Sequence, residues 1–183
     1  MASGGGSDAE AILHYFENHN AVEVTAVASN KPGAGVLQRA EKFGVDSFVF
    51  SKVELQNGSL LESLKKLNID LIVLAGFLQL VPESFVKAFP NRILNIHPSL
   101  LPAFGGKGMY GMNVHKAVKE AKSKSSGMSV HVVNEKFDEG ALLFQASVVL
   151  SPSDSPDDIA AKVLKLEHQH YPFVIEQFLK NQL

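Results

Sequence analysis

Short apolar and β-branched segments alternate with segments of helical period along most of this chain. The predicted strands cover residues 22–28, 45–50, 70–75, 92–97, 128–133 and 142–150. Helical spacing occupies residues 8–18, 35–43, 60–67 and 83–89, between the early strands. Such alternation is typical of an α/β fold in which helices cover both faces of a mostly parallel sheet. The sequence therefore predicts a Rossmann-like α/β fold with a mostly parallel central sheet.

The glycine-rich segment 3–7 comes unusually early for such a fold. A loop of this kind normally follows a central first strand, but only Met1 and Ala2 precede it. We therefore expect that the first strand is missing from this chain, or that the segment is a flexible linker. The helix-like residues that begin at Asp8 favour a real loop.

The last predicted helix has a well-marked start. Ser155 is a predicted N-cap, Pro156 occupies the first helical position, and two carboxylates follow at the positive end of the helix dipole. Pro172 is predicted to break or kink this helix, with a second short helix resuming at residues 173–179.

Length and charge narrow the class of protein. A chain of 183 residues suits a single domain over residues 1–183, and its net charge of −2 gives no basic surface for nucleic acid. The longest apolar run, residues 71–78, is too short to span a membrane, and no signal peptide is recognisable. Without cysteine, disulfides and thiolate chemistry are excluded. We expect a cytoplasmic protein.

Polar residues at the end of an apolar strand mark a candidate active site. Asn95 and His97 project from the same face of the predicted strand 92–97, because side chains alternate along a strand. An amide and an imidazole side by side can stabilise the oxyanion of a tetrahedral intermediate. A hydrogen-bonded pair that closes a turn is the alternative that the spacing leaves open.

A carboxylate is needed near such an imidazole, to orient the ring and raise its pKa. Asp138 is a candidate, in a loop between two predicted strands. The sequence alone could equally nominate Glu135 or Glu139, and a turn-forming aspartate beside a glycine is the structural alternative.

Four segments carry a resemblance to a known family. Residues 95–102 read Asn-Ile-His-Pro-Ser-Leu-Leu-Pro, and the match continues through residues 74–78, 127–133 and 167–172. Over nearly its whole length the chain resembles the folate-dependent formyltransferases. The opening glycine loop and residues 167–172 are similar to the branch of that family that acts on glycinamide ribonucleotide.

The resemblance implies a reaction and a set of site residues. The implied activity is transfer of a formyl group from 10-formyltetrahydrofolate to the amino group of glycinamide ribonucleotide, in purine synthesis. It needs no metal and uses small-molecule substrates, and the protein is expected to be a monomer or homodimer. The catalytic residues matched are Asn95, His97 and Asp138. The matched substrate-binding residues are Gly4, Gly5, Gly6, Ser7, Asp8 and Glu167. The matched folate-binding residues are Leu78, Gln79, Leu80, Val81, Asn95, Asn134, Glu135, Lys136, Phe137 and Asp138.

One departure from the family concerns the phosphate loop. Relatives usually have asparagine where this chain has Asp8, and a carboxylate repels a phosphate where an amide can donate to it. Asp8 could instead cap the start of the following helix.

Other candidates rank lower. His115 is expected to be solvated, and His131 to be a hydrogen-bonded structural histidine. No histidine pair has the spacing of metal ligands. The alternatives in function are formyltetrahydrofolate hydrolysis, with water in place of the amine, and binding of folate or nucleotide without turnover.

Overall fold

The computed structural model describes residues 1–181, which contain seven helices and six strands. The helices are α1 (Ser7–Phe16), α2 (Gly35–Lys42), α3 (Lys52–Asn57), α4 (Ser59–Lys66), α5 (Glu83–Ala88), α6 (Met112–Glu120) and α7 (Pro156–Lys180). The strands are β1 (Val27–Ser29), β2 (Ser47–Val49), β3 (Ile72–Leu74), β4 (Ile93–His97), β5 (Ser125–Val132) and β6 (Leu142–Val149). The chain forms two compact units, Met1–Leu94 and Asn95–Leu183.

In the first unit, the residues that precede the glycine loop pair with two strands. β1 and β2 are parallel, and Ala2 forms a parallel bridge with Ser29 in β1. On the other side, the Met1 amino group donates to the Val73 carbonyl at 2.6 Å. Residues 1–3 therefore lie between β1 and β3 and lead directly into the glycine loop, as a central strand would. Helix α2 packs against α1 and both strands of the parallel pair.

In the second unit, the long helix α7 packs against the antiparallel pair β5 and β6 and against α6. The burial of β5 is nearly continuous, and Met128 and Val130 are fully enclosed. On the helix, Val163 and Tyr171 are fully buried. Apolar burial between helix and sheet thus holds this unit together.

Most predicted elements are present, but their bounds differ. Strand β1 begins at Val27 rather than residue 22, and α3 was not predicted. The signal for α3 was in the sequence, because Ser51 and Glu54 form a capping box, with the Glu54 N–H donating to Ser51 Oγ at 3.2 Å.

The predicted break at Pro172, with a second helix after it, is wrong, since α7 is a single helix of 25 residues that continues through the proline. A proline removes one backbone donor from a helix. Pro172 and its neighbour Tyr171 are buried, however, and this packing holds the helix on both sides of the proline. The predicted start is confirmed: Ser155 and Asp158 form a capping box, and Pro156 is the first helical residue.

Within residues 1–181, no helix combines the length and the apolar character that crossing a bilayer requires.

Candidate active site

Strand β4 carries two of the predicted catalytic residues on one face. Ile93, Leu94 and Ile96 are buried, so they tie the strand into the core. Asn95 and His97 lie two residues apart, and only 4% of His97 is exposed. A short apolar strand therefore fixes the backbone positions of both polar residues.

The third predicted residue reaches the same place from the loop after β5. Asp138 adopts a left-handed backbone conformation with φ of 57°. Its Oδ2 lies 3.5 Å from His97 Nδ1, and its Oδ1 lies 3.5 Å from Asn95 Nδ2. The structure thus brings together the amide, the imidazole and the carboxylate. The other two candidate carboxylates are exposed, and Glu139 pairs with Lys136 at 3.0 Å.

Asp138 is held in its charged form. Burial pushes the pKa of this carboxyl up, but the neighbouring His131 ring, the positive charge that His97 can carry and the Gly106 N–H together outweigh it, so the pKa lies below its usual value. The Gly106 N–H donates to Oδ2 at 2.9 Å. Asp138 is therefore ionised at neutral pH and supplies negative charge to both histidines.

His131 belongs to this cluster, although the sequence predicted only a structural histidine. Its Nδ1–H donates to the Val132 carbonyl at 3.1 Å, and in this tautomer Nε2 is an acceptor. Asn95 Nδ2 donates to that nitrogen at 3.0 Å, and Asp138 Oδ1 lies 3.5 Å from it. His131 thus orients the amide of Asn95. Polar residues at alternate positions 129 and 131 of an apolar strand were the signal that could have found it.

His97 has a partner on each ring nitrogen. Its Nε2–H donates to the Phe104 carbonyl at 2.8 Å, which leaves Nδ1 facing Asp138. Burial lowers the pKa of His97, and the charge of Asp138 and the Phe104 carbonyl oppose this only in part. The ring is therefore neutral at neutral pH, with a counter-charge in place for the protonated form.

His115 is not solvated, so that prediction is wrong. It lies in α6 between the buried Val114 and Val118, and only 5% of it is exposed. Burial and then the charge of His97 lower the pKa of its ring. The polar sequence around it concealed a narrow buried stripe on the helix.

The glycine loop leads into α1 and is held from α2. Gly6 is the N-cap of α1, with φ of 77°, and a Cβ there would lie 2.5 Å from the side chain of Val36. The Gly4 carbonyl accepts from the Val36 N–H at 3.2 Å, and the Gly5 carbonyl accepts from Arg39 Nε at 2.8 Å. Arg39 also pairs with Glu10. Two residues of α2 therefore bind the carbonyls of Gly4 and Gly5.

Asp8 is the second residue of α1 and not its N-cap, so the predicted capping role is wrong. The N-cap position falls on Gly6, whose left-handed backbone conformation starts the helix two residues earlier. Asp8 remains in the first turn, where a negative charge interacts favourably with the helix dipole.

The segments matched to folate binding are partly exposed. In the first unit, Leu78 and Leu80 are exposed, and the Leu78 N–H donates to Ser3 Oγ at 3.1 Å. The side-chain Oε1 of Gln79 is buried without a hydrogen-bond partner in the described part of the chain.

In the second unit, Asn134 Oδ1 accepts from the Lys136 N–H at 3.0 Å, and Phe137 is exposed. Glu167, matched to the ribose, lies within α7 and is buried. The binding roles of these residues stay predictions.

In the range 1–181, no three His, Asp, Glu or Cys side chains are grouped so that they could hold a metal ion. A metal-free reaction is likewise still a prediction.

Comparison with known proteins gives the family. A sequence model described as formyl transferase matches residues 1–175. The chain belongs to the formyl transferase family, which confirms the resemblance read from residues 95–102.

Particular relatives carry more specific names. The chain is 42% identical to the chloroplastic phosphoribosylglycinamide formyltransferase of Arabidopsis thaliana, over 96% of this chain and 62% of that protein. It is 36% identical to phosphoribosylglycinamide formyltransferase of Bacillus subtilis, over 98% of this chain and 92% of that one. The crystal structure of glycinamide ribonucleotide transformylase 1 from Symbiobacterium toebii matches with a TM-score of 0.90 and 35% identity, covering 98% of this chain and 85% of that one. This likeness confirms the α/β fold. The chain spans about three fifths of the length of two plant relatives, 62% of the Arabidopsis thaliana protein and 61% of the chloroplastic phosphoribosylglycinamide formyltransferase of Vigna unguiculata.

Proposed function

We propose that this protein is an enzyme that transfers the formyl group of 10-formyltetrahydrofolate to the amino group of glycinamide ribonucleotide, in de novo purine synthesis. The products are formylglycinamide ribonucleotide and tetrahydrofolate. The observation that carries the proposal is the cluster of Asn95, His97 and Asp138 in a chain of the formyl transferase family. The names of the relatives support the choice of acceptor.

The reaction proceeds through a tetrahedral intermediate. The substrate amine attacks the formyl carbon, a C–N bond forms, and the formyl oxygen becomes an oxyanion. In the reactive form His97 has taken a proton from solvent. Its Nε2–H and the amide of Asn95 donate to the formyl oxygen, and the charge of Asp138 stabilises the protonated ring. The bond from carbon to the folate nitrogen then breaks, and the proton lost by the amine passes to that nitrogen.

The formyl oxygen has to compete with acceptors of the protein. The His97 Nε2–H is bound by the Phe104 carbonyl, and the Asn95 amide donates to His131 and lies near Asp138. An oxyanion is a stronger acceptor than a neutral carbonyl or ring nitrogen. Exchange of one such acceptor for the developing oxyanion therefore favours the transition state over the bound substrate.

The remaining predicted residues would bind the ribonucleotide and the folate. Residues 4–8 would hold the substrate phosphate with backbone N–H groups at the start of α1, and Glu167 would bind the ribose hydroxyls. Segments 78–81 and 134–138 would hold the pterin. The proposal includes a single formyltransferase domain over residues 1–183, no metal, no nucleic acid, a monomer or homodimer, and a cytoplasmic location.

An assay of tetrahydrofolate release tests the proposal. The purified protein is given 10-formyltetrahydrofolate with and without glycinamide ribonucleotide, and His97→Ala serves as the inactive control. Release that requires the amine supports formyl transfer. Release without the amine would indicate a hydrolase, and folate binding without any release would indicate a protein that binds but does not turn over.

A further inference from the structure

The loop that follows His97 is held by two side chains outside the predicted site. This loop, residues 98–106, includes Phe104, whose carbonyl binds His97 Nε2, and Gly106, whose N–H binds Asp138. The same short loop therefore touches both members of the imidazole–carboxylate pair. Whatever holds the loop also determines the orientation of that pair.

Ser129 on β5 holds the first half of the loop. This residue is fully buried, and its Oγ–H donates to the Ser99 carbonyl at 2.6 Å. The same oxygen accepts from the Leu101 N–H at 3.0 Å and from Gln145 Nε2 at 2.9 Å. One donor and two acceptor positions are the full capacity of a hydroxyl, so Ser129 has every hydrogen bond that it can make.

Gln145 on β6 completes the attachment. It lies directly opposite Ser129 in the antiparallel register of the two strands. Besides its bond to Ser129, Gln145 Nε2 donates to the Leu101 carbonyl at 3.0 Å. Both protons of the amide are therefore used, and the two side chains bind Leu101 through both its N–H and its carbonyl.

Close packing supports the same arrangement. Leu100 lies directly on β5, because a Cβ at Gly127 would come within 2.7 Å of its Cδ2. Further along the loop, Ser99 Oγ donates to the Ala103 carbonyl at 2.6 Å. These contacts leave little freedom between the anchored Leu101 and the carbonyl of Phe104.

We propose that Ser129 and Gln145 are positioning residues for His97. By anchoring the loop at Leu101 they hold the Phe104 carbonyl against Nε2, so that the proton of the neutral ring stays on Nε2 and Nδ1 faces Asp138. Neither residue touches the reacting atoms. This inference rests on the proposed function for its effect on rate, but its effect on the histidine ring is independent of the substrate.

Gln145→Met is the variant that tests the inference. It keeps the length of the side chain and removes both donors, and because Gln145 is exposed the variant is expected to fold. We expect kcat to fall about tenfold with little change in KM, as the loss of two hydrogen bonds suggests. The ¹⁵N chemical shifts of Nδ1 and Nε2 of His97 should approach each other, as the two ring tautomers mix. Ser147→Met, two residues along the same exposed face, is the matched control and should change neither quantity.

The experiment has two readouts, kcat and the ring shifts of His97, and together they separate this inference from the proposed function. If the wild-type protein shows no release that depends on glycinamide ribonucleotide, the proposed function fails, and the ring shifts alone then decide the positioning role. Unchanged His97 shifts in Gln145→Met would overturn the positioning role whatever the rate. Where the wild type is active, an unchanged kcat would overturn it as well. Ser129→Ala, if it folds, should give the larger change in both readouts.

Discussion

Replacing Asp138 by asparagine removes the only negative charge that the structure places in contact with His97 among the described residues, and keeps the size of the side chain. The carboxylate oxygen lies 3.5 Å from His97 Nδ1, and both side chains are largely buried. Loss of this charge disfavours the protonated ring. The pKa of His97, already below its usual value through burial, should therefore fall further.

The size of the effect follows from the separation. At 3.5 Å and an effective dielectric constant of about 20, Coulomb's law sets an upper limit of about 5 kcal/mol on the attraction. An opposite charge at such a distance ordinarily shifts a pKa by about one to three units. At a fixed pH above the pKa, the protonated fraction of His97 then falls by about 10- to 1,000-fold. We expect kcat near neutral pH to fall by about 100-fold.

The assay is the initial rate of tetrahydrofolate release at saturating substrates, measured across the pH range for wild type and variant. The fall in kcat on the alkaline side should move to lower pH in Asp138→Asn, so that the two rates approach each other in acid. Glu139→Gln, in the same loop but exposed, is the control and should keep the wild-type profile. A kcat within about threefold of wild type, or a profile that does not move, would refute the role of this carboxylate.

Three further variants test the roles of His97, Asp8 and Arg39. Burial lowers the pKa of His97 below its unfolded value of 6.5, so the free energy of unfolding should decrease as pH falls below about 6.5. His97→Asn should reduce this pH dependence, measured by urea titrations. Asp8→Asn should lower the Kd for glycinamide ribonucleotide by about threefold to tenfold in calorimetry, because it removes a negative charge near the proposed phosphate site. Arg39→Gln should raise KM for the ribonucleotide by about tenfold with kcat unchanged, because Arg39 holds the Gly5 carbonyl.

Each of these has a control and a contradicting outcome. His14→Asn, on an exposed side chain, should leave the pH dependence of unfolding as it is; an equal slope in His97→Asn would contradict the first prediction. A weaker or unchanged affinity in Asp8→Asn would mean that this side chain does not act on the phosphate. For the third, the control is Arg92→Gln, because the Arg92 guanidinium lies over the Phe89 ring and not on the glycine loop. A fall in kcat rather than a rise in KM would show that Arg39 acts on the reaction step.

Local patterns in the sequence were sufficient for the class of fold and for much of the site. Alternation of apolar segments predicted the α/β fold, because strand and helix periods depend only on which side chains must face the core. The spacing of Asn95 and His97 placed both on one face of β4, since that follows from strand geometry alone. The start of α7 was also predictable from the sequence, because the side chains of Ser155 and Asp158 accept from backbone N–H groups of the same few residues.

Only the tertiary structure decided which distant groups meet. Asp138 was one of three carboxylates in its loop. Spacing in the sequence predicts neither its contact with His97 nor its approach to His131, because both depend on how separate strands pack. Burial likewise kept α7 helical through Pro172 and enclosed His115. Ser129 and Gln145 meet because the register of β5 and β6 places them opposite each other, and that register depends on how the connecting loop and the two strands pair.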